Sequence, residues 1–261
     1  MQTQLSPRQL REKSHYEERY HQTKCRFSSR DIALLPLLSP EIKPYEQDWQ
    51  FVQAIRRCGL ENKRVLEMGC GLGRLTYLLA EMGAHVTATD LSDEGIRVTR
   101  ERMRHYGVAD RVECLNVAAE DLHFPSASFD LVIGSYILHH IEIEEAGRQI
   151  SRVLRPGGTG LFFEWMEWPP FDRLRRMTLR LFPYHDGEDV TEDERKITDG
   201  DLECLRRFFT AVEAERAYTF ARLRYFSRGM YTRMAKVDHW LYRRIPALRQ
   251  TGGRAIITLR R

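Results

Sequence analysis

Residues 65–76 read Val65-Leu66-Glu67-Met68-Gly69-Cys70-Gly71-Leu72-Gly73-Arg74-Leu75-Thr76. The apolar run built on Val65 and Leu66 reads as a buried strand, and Leu75, Tyr77, Leu78 and Leu79 open an apolar face with helical spacing. Between them Gly69, Gly71 and Gly73 stand at alternate positions, where the backbone must turn tightly and come close to something. A strand, a glycine loop and a helix N-terminus in that order hold a nucleotide-like ligand at the carboxyl end of a strand in an open α/β sheet. The dinucleotide fingerprint wants its third glycine one position later than this chain has it. Glu67 also precedes the first glycine. A carboxylate there repels a pyrophosphate but accepts hydrogen bonds from a ligand ammonium group or its ordered water. The loop therefore suits a zwitterionic or cationic nucleoside better than NAD.

Working outward, a second strand over residues 84–89 ends at Asp90-Leu91, about twenty residues on, where an acid takes ribose hydroxyls. A third, residues 112–117, is followed by Ala119-Glu120-Asp121, and a fourth, Phe129 to Ser135, by Tyr136-Ile137-Leu138-His139-His140. Leu154-Arg155-Pro156-Gly157-Gly158 then turns the chain into a fifth strand from Thr159 to Trp165. Strands alternating with helices from residue 63 to 165 call for a parallel sheet.

These five features, in this order and at this spacing, resemble the class I S-adenosylmethionine-dependent methyltransferases, and within them the methyltransferase type 11 and UbiE-like small-molecule group. The resemblance covers residues 60–165. It implies an α/β, Rossmann-like, doubly wound sheet of seven strands, mostly parallel with one antiparallel strand, and helices on both faces. It implies S-adenosyl-L-methionine as methyl donor, S-adenosyl-L-homocysteine as product, and no metal. Donor contacts then fall on Glu67, Gly69, Gly71, Gly73, Asp90, Leu91, Glu120, Asp121 and Ser135. Tyr16 and Tyr20, one helical turn apart in a charged helix over residues 10–21, are candidates for an N-terminal lid, with packing on the domain as their plainer role.

The chain divides into a lid and connector, residues 1–62, and a methyltransferase domain, residues 63–261, with insertions at about 166–200 and 224–250. In the first insertion residues 171–182 are amphipathic and an acidic run spans 188–194; a substrate lid is preferred there over a membrane-surface helix, because the acids would be repelled by anionic lipid. Residues 45–58 read as an amphipathic helix, 27–44 as an irregular connection, and Ala214 to Leu223 as strand six. The last strand, from Arg254, follows Gly252-Gly253.

There is no apolar run of membrane-spanning length and no signal-peptide pattern, and the five scattered cysteines lack paired metal spacing, so a cytoplasmic protein with reduced thiols is expected. The net charge is +4, and arginines crowd the chain after Phe208, which suits an anionic partner such as a carboxylate, a phosphate or an acidic membrane surface, with a solvated basic face that binds no ligand as the plainer and more frequent reading. Peripheral membrane contact fits the same excess. DNA is not expected, and RNA is disfavoured because no RNA-binding module is added.

For the acceptor, His139 and His140 are the candidate general bases, placed just beyond strand four; either could instead pack the following helix. Gly134-Ser135-Tyr136-Ile137 is unlike the Asn-Pro-Pro-Tyr type motif of amino-nucleobase methyltransferases. Glu164 is open between an acceptor contact and a structural carboxylate. The leading reading is transfer to the oxygen of a small molecule. A membrane-associated lipid or quinone, RNA, and a non-catalytic donor-binding protein are its rivals.

Overall fold

The computed structural model describes residues 5–22, 47–168, 195–217 and 228–261. Seven strands, β1 (Arg64–Met68), β2 (His85–Asp90), β3 (Val112–Asn116), β4 (Phe129–Ser135), β5 (Leu154–Trp165), β6 (Ala211–Ala217) and β7 (Arg254–Arg260), form one sheet in the order β3-β2-β1-β4-β5-β7-β6. Neighbours among β1 to β5 are parallel, and β7 runs antiparallel to both β5 and β6. The fold is the Rossmann-like doubly wound sheet implied by the resemblance. The strand order reverses between β1 and β4, so the chain leaves those two strands in opposite directions and opens a crevice at their carboxyl ends.

The helices are α1 (Pro7–Gln22), α2 (Gln47–Arg57), α3 (Arg74–Glu81), α4 (Asp93–His105), α5 (Ile143–Val153), α6 (Asp199–Leu205) and α7 (Arg228–Arg244). Both faces of the sheet are covered, which is why β1 reads as a continuous apolar run rather than an alternating one. Val65, Leu131, Ile133, Leu161 and Phe163 pack with α2 and α3 on one face. Leu66, Met68, Val132, Phe162 and Ile257 pack with α5 and α6 on the other.

The register decides which side chains meet. Met68 pairs with Thr89 on one side and Gly134 on the other, Ser135 with Phe163, and Trp165 with Arg254. Glu67, Asp90, Ser135, Glu164 and Arg254 therefore come to one edge of the sheet from five different strands.

Ser92 caps α4, its hydroxyl accepting from the Gly95 N–H at 3.0 Å. Ser92→Ala is expected to lower stability by about 1 kcal/mol, seen as a lower urea midpoint with an unchanged slope.

Two boundaries differ from the sequence reading. The Pro-Gly-Gly segment is not a turn before β5 but a bulge within it: Leu154 already pairs with Phe129, and pairing resumes only at Leu131 with Thr159. Gly157 takes φ 74° there, so the extra residues loop out while the strand continues. Strand β6 opens at Ala211, earlier than Ala214, because Ala211 pairs with Arg260; residues 218–223 of the expected strand lie outside the described residues. So do the irregular connection at 27–44, the amphipathic stretch 171–182 and the acidic run 188–194. Met166 and Ile197 form a parallel bridge where the chain returns to the sheet. Among the described residues no helix is long and apolar enough to cross a membrane.

Candidate active site

The glycine loop joins β1 to α3. Gly71 has φ 53°, and a Cβ on it would stand 2.9 Å from the Tyr20 hydroxyl. Its N–H donates to Asp90 Oδ2 at 2.8 Å, while Oδ1 accepts from the Ser92 N–H at 2.9 Å. Asp90 thus ties the end of β2 to the loop, and each oxygen keeps a further lone pair for a ligand hydroxyl. Burial raises its pKa above the ordinary carboxylate range, against the pull of those two N–H donors. Leu91 follows, its carbonyl accepting from Asn116 Nδ2 at 2.8 Å.

Glu67, at the end of β1, is 1% exposed. Burial pushes its pKa up to about 8; Thr76 lowers it somewhat and the nearby Asp90 raises it. Even so, neither Glu67 Oε2 nor Thr76 Oγ1 makes a hydrogen bond of acceptable geometry. A buried carboxyl oxygen without such a bond under a glycine loop is costly unless a ligand satisfies it. Cys70 is buried beside them with its thiol pKa raised by the same desolvation and by Asp90, consistent with filling space rather than acting as a nucleophile.

Helix α1 lies across this edge. Glu17 accepts from the Asp93 and Glu94 N–H groups at 2.5 and 3.2 Å, so its carboxylate sits at the positive N-terminus of α4. Lys13 pairs with Asp93 at 2.6 Å, and Gln9 Nε2 donates to Glu120 Oε2 at 3.0 Å. Tyr16 meets His140 Nε2 at 3.1 Å, while Glu12, itself buried, lies 3.4 Å from His140 Nδ1. Tyr20 lies against Gly71 and Gly95, and its phenol pKa is pushed well up by burial and then by the Asp90 carboxylate. Asp121 faces His123, its Oδ2 lying 3.3 Å from Nε2.

Beyond β4 the two histidines separate. His139 Nδ1 lies 2.7 Å from Glu164 Oε2, and Glu164 Oε1 accepts from the Ile137 and Leu138 N–H groups at 2.8 and 2.7 Å. Glu164 is fully buried. Where that carboxylate accepts from Nδ1–H, the ring's lone pair is left on Nε2. His140 instead has both ring nitrogens turned to α1 through Tyr16 and Glu12. Ser135 closes β4, and Tyr136 after it holds φ 57°, a conformation costly for an aromatic residue, with its N–H donating to the Phe163 carbonyl at 2.8 Å.

A family profile described as a methyltransferase domain matches residues 65–158. Residues 65–158 are a methyltransferase domain. It is 34% identical over 140 residues to the ubiquinone/menaquinone biosynthesis C-methyltransferase UbiE of Vibrio vulnificus, covering 50% of this chain and 53% of that one. It is 35% identical over 124 residues to a ubiquinone biosynthesis O-methyltransferase of Aromatoleum aromaticum, 47% of this chain and 50% of the other. The chain spans about half the length of these curated relatives. In fold it is similar to the geranyl diphosphate C-methyltransferase of Streptomyces coelicolor A3(2), solved with S-adenosyl-L-homocysteine, at TM-score 0.60 and 12% identity over 99% of this chain and 98% of that one.

The buried Glu67 carboxyl and the unspent Asp90 lone pairs fit the methyltransferase donor, which carries an ammonium group and two ribose hydroxyls. What the sequence left open is Glu164. A charged residue inside Leu161-Phe162-Phe163-Glu164-Trp165 was the available signal, since an acid in a doubly covered strand is rarely buried without a partner. Glu12, Tyr16 and Tyr20 share one helical face at four-residue spacing, but which groups that face meets is invisible in the chain itself.

Proposed function

We propose that this protein transfers the methyl group of S-adenosylmethionine to the oxygen of a small molecule, with His139 as general base and Glu164 as the residue that positions it. The observation that carries the reading is the buried 2.7 Å contact between His139 Nδ1 and Glu164 Oε2 at the carboxyl end of β4. Donor binding falls to Glu67, the glycines at 69, 71 and 73, Asp90 and Leu91, with Glu120, Asp121 and Ser135 beside them. The bound donor supplies an electrophilic methyl group. Nε2 of His139 takes the proton of an acceptor hydroxyl, and the imidazolium that forms is stabilised by the Glu164 carboxylate. Tyr16, Tyr20 and the rest of α1 exclude water from the donor side. His140 acts in this reading as the latch that holds α1 through Tyr16 and Glu12, not as a base.

A second reading, methylation of a quinol ring carbon, is favoured by the likeness to UbiE. The same base serves it, because removing a phenol proton makes the ring carbon nucleophilic as well as the oxygen.

The test incubates purified protein and host extract with donor labelled at the methyl group and separates organic, small polar, RNA and protein fractions. Label in a small-molecule product, located by NMR on oxygen or on ring carbon, decides between the two readings. Label confined to RNA or protein would sink both.

The lid adds its own prediction. Tyr20→Ala removes the ring over Gly71 and Gly95 and is expected to weaken S-adenosylhomocysteine binding roughly 10-fold. Isothermal calorimetry checks it; unchanged affinity would mean that α1 does not cover the donor.

A further inference from the structure

Large apolar side chains left in water gather at one place on this molecule. Of the four exposed among the described residues, Val237 at 39%, Trp240 at 54% and Ile245 at 48% stand at the end of α7, and the fourth, Leu10, is on α1. Arg233, Lys236, Val237, Trp240 and Arg244 follow the i, i+3, i+4, i+7 and i+11 spacing of a single helix side, and all five are exposed. Asp238 and Tyr242, one turn apart, point the opposite way and are buried. Asp238 is the only acid in α7, so no carboxylate of the helix offsets the outward cations.

The Arg244 guanidinium carbon lies 5.3 Å from the centre of the Trp240 ring, which puts cation and indole at one level of the surface. That is the arrangement of a lipid interface, where an indole sits among headgroups and arginine stems lie on apolar surface with their charged ends at phosphates. A solvated basic face accounts for the cations but not for an indole, a valine and an isoleucine exposed among them. A helix with bases around an apolar centre lies flat on an anionic bilayer, where burial of the apolar side adds to the attraction of the charges. The short helix Pro246–Thr251 then leads from α7 into β7, whose Arg254 pairs with Trp165, so this side of α7 is tied to the sheet edge that holds the candidate site.

We propose that this side of α7 docks on an anionic phospholipid bilayer, with Trp240 seated among the headgroups and Arg233 and Arg244 at the lipid phosphates. The contact is peripheral: the apolar centre reaches the interface and no further. Neither donor nor acceptor enters the inference, so it stands apart from the methyl-transfer reading and is tested without turnover.

The experiment floats the full chain with vesicles of phosphatidylcholine alone and of phosphatidylcholine with about a third phosphatidylserine, at low and high salt. At low salt, partition onto the anionic vesicles is expected to be greater by roughly 10-fold or more, and to fall away as salt is raised. Lipid brominated near the headgroup should quench the tryptophan emission of the bound protein. Trp240→Gln should cut partition roughly 10-fold and remove most of that quenching. Arg233→Gln combined with Arg244→Gln should cut partition roughly 20-fold, and both variants should keep the wild-type urea midpoint because the altered side chains are exposed. Equal partition onto neutral and anionic vesicles, or none onto either, overturns the proposal on the wild-type protein alone, even if no variant folds. Anionic binding that both variants retain in full places the contact elsewhere and overturns it as well. Wild-type protein that sediments as a dimer, dissolved by Trp240→Gln, would assign the face to a second copy of this chain instead.

Discussion

His139→Ala is expected to lower kcat roughly 10²- to 10⁴-fold, the range that a positioned general base contributes. Donor affinity should stay within about twofold, because the change touches the acceptor side of β4 only. Glu164→Gln separates positioning from chemistry. An amide can still accept from the Ile137 and Leu138 N–H groups but cannot hold the imidazolium by charge. It can also present its NH₂ to Nδ1 and so favour the tautomer with the proton on Nε2, the wrong one for a base. The loss should approach that of His139→Ala, and raising the pH should not restore it, since the fault lies in the tautomer and not in the fraction ionised. The double variant should then be scarcely worse than either single one, as for residues acting as a unit. Single-turnover rates with a labelled donor measure all three. A Glu164→Gln enzyme with normal kcat would leave Glu164 as a scaffold for the Ile137–Leu138 turn and no more. His140→Ala supplies the contrast: its effect should appear in donor affinity, through the loosened α1, before it appears in the chemical step.

The second large effect is a pH dependence written into Glu67. Its folded pKa of about 8 lies above the ordinary carboxylate value of 4.5, so between those two values the native protein binds a proton that the unfolded chain has released. Stability therefore falls as pH rises from 4.5 towards 8 and levels off above it. Asp90, raised by the same desolvation, adds in the same direction. Donor binding runs the other way. The ammonium group of the donor favours the ionised Glu67, so binding below pH 8 expels the proton, and affinity should climb up to about tenfold per pH unit until it flattens. Calorimetry in two buffers of different ionisation enthalpy counts the proton released. Glu67→Gln should weaken the donor roughly 10- to 100-fold at pH 8, flatten the pH profile and raise the stability of the unliganded protein in alkaline buffer. A donor affinity that is level from pH 6 to 9, with no proton released, would show that Glu67 faces something other than the ammonium group.

The sequence by itself determined the sheet and the glycine loop at its edge. Val65-Leu66, the three glycines, Asp90 ending β2 and Phe129 to Ser135 are local signals, each fixed by backbone conformation or by which residues tolerate burial on both faces. The antiparallel placement of β7 followed from the family resemblance and stands in the register with β5 and β6. The bulge at residues 155–158 escaped because a Pro-Gly-Gly signal marks a break in local direction, while only pairing with β4 tells whether the strand resumes.

Tertiary structure alone decided which partners the two histidines take. Adjacent histidines look equivalent in a chain, yet His139 is claimed by Glu164 from β5 and His140 by Glu12 and Tyr16 from α1, 25 and 124 or more residues away. Arg254 meets Trp165 only because β7 enters the sheet between β5 and β6 in one register. Such contacts depend on strand order and on the angle at which a helix docks. Those come from packing across the whole sheet, and no local spacing encodes them.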